Sequence, residues 1–156
     1  GGCSLDYAFR KMKDIKNKTR YSNLAVLSAL TISAPFFAIM FGGTFKDSIV
    51  AFLVMAVEVA FLLFIGRYKI ISFLTNFLGS FISTVLVMIL TKFLFIHNPV
   101  SIIIVSLMPL VPGVQITNSV RDFMAGDYLS GIIGVQSAIF VSIAIALGVV
   151  MGLKIV

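Results

Sequence analysis

The chain has 156 residues, of which 60% are hydrophobic and only 12% charged, with a mean hydropathy of +1.12 and a net charge of +6. A soluble domain is about 45–50% apolar and about 25% charged, so this chain cannot cover itself with polar surface and reads as an integral membrane protein. One cysteine, Cys3, and one histidine, His97, exclude an intramolecular disulfide and make thiol or metal chemistry a poor fit.

The first section, DYAFRKMKDIKNKTRYSN, is polar and basic, with Tyr7, Met12 and Ile15 too sparse to form a strong apolar face. Residues 1–23 are expected to be a solvated cytoplasmic lead-in lying near the lipid surface. The sequence starts at Gly1 inside this polar segment, without the charged and apolar regions of a signal peptide, and a further N-terminal part is expected.

Residues 24–156 are expected to form an all-α membrane domain with five transmembrane helices, the fourth broken at a Pro-Gly. The apolar stretches run from Leu24 to Phe41, Ser48 to Gly66, Ile70 to Phe95, Val100 to Gln115 and Tyr128 to Leu153. The third is long enough to tilt. The fifth carries Gly131, Gly134, Gly148 and Gly152, small residues that let membrane helices approach closely. With the N-terminus inside, nine Lys and Arg flank the cytoplasmic ends, including Arg67, Lys69 and Arg121, against Lys46, Lys92 and Lys154 outside. That asymmetry places the C-terminus outside. An odd span count without an internal repeat describes one half of a two-half transporter, so a second half or a second copy is expected.

Within the second stretch, Glu58 stands in VMAVEVAFLL, where an ionised carboxylate is costly and is usually functional. It is the candidate proton-coupling residue, with hydrogen bonding to a neighbour such as Asn76 as the competing explanation. Asn76, Ser80, Ser83 and Thr84 lie near one face of the third stretch, either lining a pathway or, the more frequent case, joining helices.

The fourth stretch runs into MPLVPGVQITNSVRDFMAGD. Pro109 and Pro112 cannot donate backbone hydrogen bonds and Gly113 frees the backbone, so the helix should break before it has crossed. Such a break is tolerated only where protein or a watery cavity satisfies the freed groups, so a cavity is expected. Thr117, Asn118 or Ser119 could cap a short helix through Met124, with Gly126 ending it and Asp127 capping the last span. Two helix N-termini close together, with Arg121 beside them, would attract a carboxylate. An ordinary loop with good caps is the alternative.

The run PGVQITNSVRDFMAGDYLSG resembles the signature of the threonine/serine exporter family, and SLDYAFRKMKDI and APFFAIMFGGTFKDSIVAF agree with it in order and spacing. The resemblance implies the membrane half of a secondary exporter, in the plasma membrane of a bacterium, for small amino acids or, in split two-protein forms, small dicarboxylates such as succinate. It implies a soluble domain before the membrane part, which this chain lacks, so a fragment or a truncated gene is expected. It carries substrate binding onto Pro112, Gly113, Thr117, Asn118, Arg121, Asp122, Gly126 and Asp127. The cavity is then opened at Pro112 and Gly113, and Thr117 and Asn118 hydrogen-bond the substrate. Arg121 attracts a carboxylate, and Asp122 or Asp127 meets an ammonium or a proton. No cofactor, metal or nucleic acid is called for; the expected partners are the substrate, membrane lipids and a second transporter half or a homo-oligomer. A lipid-phosphate enzyme would need more acids or a nucleophile with a base than the cytoplasmic face offers. An accessory or scaffold subunit remains the rival reading.

Overall fold

The computed structural model describes residues 23–66, 71–94 and 96–155, and among these every regular element is a helix. The basic lead-in, and with it Arg67 and Lys69, lies outside the described residues. Six helices follow in order: α1 (Asn23–Met40), α2 (Phe45–Ile65), α3 (Ser72–Leu94), α4 (Pro99–Leu107), α5 (Gly113–Met124) and α6 (Tyr128–Ile155). Three of them, α2, α3 and α6, are long and apolar enough to cross a membrane, and Ser28–Met40 of α1 is a shorter apolar stretch.

Local chemistry fixes most of the boundaries. Gly42, at a φ of +82°, turns the chain out of α1 in a conformation that L side chains rarely adopt. Thr44 and Asp47 then open α2 with a reciprocal capping box: the Thr44 N–H donates to Asp47 Oδ2 over 2.7 Å and the Asp47 N–H donates to Thr44 Oγ1 over 3.4 Å. Asn98 caps α4 by accepting from the Ser101 N–H, with Pro99 in the first turn, where its missing donor costs nothing. The same Asn98 reaches across to donate to the Gly42 carbonyl, tying the α1–α2 and α3–α4 connections together at one end of the bundle.

Packing follows from these ends. The short α4 is inserted among α1, α2 and α3, and a core of Ala34, Ala38, Val54, Met55, Val87, Ile102 and Val105 forms around it. On the other side α3 lies along α6, with Gly148 and Gly152 of α6 against Ser80 and Thr84 of α3. Residue numbers rise together along this seam, so α3 and α6 run parallel. An ideal Cβ on Gly148 would lie 2.5 Å from the Phe77 carbonyl oxygen and overlap Ser80 Oγ, which is why the seam takes glycine. Finally α5 folds back on α6, with Phe123 over Gly131 and Ser119 over Gly134.

The fourth apolar stretch is broken as its prolines predict. Helix α4 stops at Leu107 and α5 starts at Gly113. Between them Leu110 N–H still reaches the Leu107 carbonyl over 2.9 Å, but the Gly113 N–H bonds only two residues back, to Val111. At about 1.5 Å per residue, the two short helices together measure about 32 Å, close to the thickness of a hydrocarbon core.

Candidate functional site

Helix α5 carries five of the site residues that the sequence singled out, Gly113, Thr117, Asn118, Arg121 and Asp122. Its packed face is set by Ser119 and Phe123, which meet Gly134 and Gly131. With 100° between successive residues, Thr117 and Arg121 form a row on the opposite face, and Asn118 and Asp122 form the row beside it. Thr117, Asn118 and Arg121 are exposed and Asp122 is half-buried. Hydroxyl, amide, guanidinium and carboxylate are thereby presented side by side within about one helical turn. A polar face of this kind can bind a zwitterion at both of its charged ends.

The helix does not begin where those residues were expected to cap it. Thr117, Asn118 and Ser119 lie within α5, and Pro112 is the N-cap without any side-chain bond. The hydroxyls turn back on their own helix, Thr117 Oγ1 donating to the Gly113 carbonyl over 2.9 Å and Ser119 Oγ to the Gln115 carbonyl over 2.7 Å. The physical reason is that Pro112 already stops the preceding turn, so helix resumes at Gly113, at least five residues earlier than capping alone suggests. In consequence the two helix N-termini do not meet: α5 starts about 18 Å from the turn in which α6 starts. Arg121 stands in the last turn of α5 and close in sequence to the start of α6.

At that turn the expectation holds. Gly126 has a φ of +84° and ends α5, and Asp127 Oδ1 accepts from the Ser130 N–H over 3.2 Å at the start of α6. The Ser130 hydroxyl and N–H hold the Asp127 carboxyl below its ordinary value, outweighing a small opposing effect of burial.

Glu58 is the second feature. It lies on α2, fully buried, and Ser83 of α3 donates its hydroxyl to Glu58 Oε2. The other oxygen, Oε1, is buried without a hydrogen-bond partner. Asn76 is not the neighbour it meets, because the Asn76 amide donates to the Ser72 carbonyl of its own helix over 2.7 Å. Ser80 and Thr84 also bond within α3, so of that polar row only Ser83 reaches across to Glu58. Beside Oε1 lies Gly79, whose ideal Cβ would come within 2.7 Å of it and 3.4 Å of both methyls of Leu110. The broken segment and the buried carboxylate are therefore next to each other.

One buried acid escaped the sequence reading. Asp47 is fully buried three turns from Glu58 on the same face of α2, since eleven residues bring a helix back to within about 20°. Thr44 satisfies its Oδ2 through both N–H and hydroxyl. Its Oδ1 accepts no hydrogen bond of ordinary geometry, although the backbone N–H groups of His97 and Asn98 face the carboxylate. The T-x-x-D spacing was the available signal.

Two open grooves run along α6, and neither is lined by residues 108–113 of the break, where a cavity was expected. One of about 430 Å³ lies between Ile116 of α5 and Val135, Ala138, Ile139 and Ser142 of α6. Another, of about 590 Å³, lies between Ile71, Ser72 and Phe73 and the stretch from Ile133 to Val141 of α6. Neither is lined by Thr117, Asn118, Arg121 or Asp122. Among the described residues, no three of His, Cys, Asp and Glu come together as a metal site would require.

The family model described as "Putative threonine/serine exporter" matches residues 1–156, the whole chain. The chain belongs to the threonine/serine exporter family. No curated protein and no solved structure matches it. Membership in a transporter family, together with three helices of spanning length, makes this a membrane protein. The exporter signature quoted from the sequence corresponds in space to α5, the Gly126 turn and the first turn of α6.

Proposed function

We propose that the chain is the membrane part of a secondary exporter of threonine and serine, crossing the membrane five times with its N-terminus in the cytoplasm and its C-terminus outside. The fourth crossing is made by α4 and α5 in series. The observation that carries this reading is the polar face of α5, with Thr117, Asn118, Arg121 and Asp122 following a mid-span break inside an apolar chain. A threonine or serine zwitterion offers a carboxylate for Arg121, an ammonium for Asp122 or Asp127, and a hydroxyl for Thr117 and Asn118. Pro112 and Gly113 release the backbone at one end of this face, and Gly126 and Asp127 close the other. A small dicarboxylate such as succinate would use the same Arg121 and leave the acids unpaired, so it fits less well.

The polar face is exposed on this chain, which supports a requirement for a second half, or a second copy, to enclose the substrate. Glu58 serves as the proton carrier that couples export to the proton gradient, since it is a buried carboxylate with an unpartnered oxygen.

Uptake of labelled threonine, serine and succinate into inverted vesicles, with and without a candidate partner half and under an imposed proton gradient, tests the proposal. Export of threonine and serine that is lost in Asp122→Asn, and uncoupled from the gradient in Glu58→Gln, is the expected result. Normal insertion with no transport of any of the three in either setting would leave a non-transporting accessory subunit as the better reading.

A further inference from the structure

We propose that Leu110 is a gate over Glu58, seated in the notch left by Gly79 and carried on the break between α4 and α5. The three groups meet at one point: a Cβ built on Gly79 would lie 2.7 Å from Glu58 Oε1 and 3.4 Å from both Leu110 methyls. Leu110 is only 5% exposed and packs against Val141 and Ile145 of α6. The next residue, Val111, is 54% exposed. A buried aliphatic side chain thus lies beside the unpartnered carboxylate oxygen, one residue from an exposed position of the break.

The segment that carries Leu110 is built to move. Pro109 and Pro112 withhold two backbone donors within four residues, and the break retains short-range bonds in place of a continuous helical ladder. A small rotation about residues 108–112 would lift Leu110 from Gly79 while α4 stays fixed in the core and α5 stays seated on α6. Gly79 is the counterpart of the gate. A side chain there would press on the carboxylate and fill the notch that Leu110 covers. Glu58 itself remains anchored by Ser83, one turn along α3 from Gly79, so opening would expose Oε1 and leave Oε2 held.

The gate controls access of water to Glu58, and it gives the proton carrier proposed above its route; in that respect it rests on that reading. The test reads access and is independent of transport. The full chain, reconstituted in liposomes, is treated with a water-soluble carbodiimide and an amine nucleophile, and modification of each carboxylate is followed by mass spectrometry. Leu110→Ala is expected to raise the labelling rate of Glu58 by about tenfold or more, because truncating a buried leucine removes much of what holds the segment closed. Asp47, equally buried on the same helix face but remote from Leu110, should keep its rate. Leu110→Met, which preserves volume, should keep Glu58 protected. Unchanged Glu58 labelling in Leu110→Ala, or a parallel rise at Asp47 that signals general loosening, would overturn the gate. If Glu58→Gln exports with full coupling while Leu110→Ala still unmasks Glu58, the coupling role fails and the gate stands.

Discussion

At the residue scale the pair between Glu58 and Ser83 joins α2 to α3 in the middle of the bundle. Ser83 contributes one hydroxyl, and that hydroxyl is the hydrogen-bond donor to the carboxylate. Ser83→Ala would leave both oxygens of a buried carboxyl without a partner, which costs about 1–3 kcal/mol in comparable sites. Ser83→Thr keeps the donor and should retain most of the stability. Thermal unfolding in detergent, comparing the two variants, checks the assignment: equal melting temperatures would mean that the hydroxyl does not hold Glu58. Gly79 is subject to a different constraint, since the obstacle to a Cβ there is the carboxylate itself.

At the scale of elements the glycines of α6 are packed against their neighbours, whereas Gly113 at the start of α5 is not. Gly148→Ala places a methyl against the Phe77 carbonyl, a backbone atom that cannot swing away, so α3 and α6 must part. Overpacking of this kind costs about 1–3 kcal/mol. Gly113 has nothing within 4 Å of its Cβ position, so Gly113→Ala should leave stability nearly unchanged. A loss of export in that variant would then report on the break and not on folding. Unfolding curves for the two variants, taken side by side, separate these cases.

Sequence patterning read the elements well where hydropathy and breakers dictate them. The Pro109/Pro112 break, the Gly126 turn and the Asp127 cap all depend on backbone chemistry confined to a few adjacent residues. The start of α5 and the partner of Glu58 were misjudged for another reason. Thr117 and Ser119 have hydroxyls that suit a cap and equally suit a bond to the preceding turn, and only the position of Pro112 decides between them. Ser83, not Asn76, faces Glu58 because the parallel seam of α3 with α6 fixes the rotation of α3, and that seam is a tertiary fact.

Asp127 gives the element scale a pH signature. Its folded-state carboxyl binds a proton more weakly than the unfolded one, whose ordinary value is 3.8, because ionised Asp127 accepts from Ser130. The cap therefore stabilises α6 fully above pH 3.8 and is lost as the pH falls through the lowered folded value. Asp127→Asn should remove that acid-dependent component while retaining much of the cap at neutral pH, as asparagine also caps well. Helicity followed by circular dichroism from neutral to acid pH reads the difference between the two proteins.

At the scale of the whole molecule the distribution of polar groups is uneven. The buried acids Glu58 and Asp47 are enclosed by α2, α3 and the connections of the chain itself, whereas Thr117, Asn118 and Arg121 face outward from α5. Val114 and Met124 on the same helix are more than three-quarters exposed, 76% and 85%. A helix that packs chiefly through Ser119 and Phe123 onto α6 leaves most of its circumference uncovered, and a guanidinium with its polar neighbours is costly against lipid. If a second half encloses this face, Asn118→Cys should react readily with a water-soluble maleimide in membranes that contain this chain alone. Co-expression of the partner half should slow that reaction, and threonine should slow it further by occupying the same face. A cysteine at exposed Leu153, near the far end of α6, should keep its rate under all three conditions and so control for a general change in the membrane. Equal reactivity of Asn118→Cys with and without the partner would mean that the substrate face of α5 is not where the two halves meet.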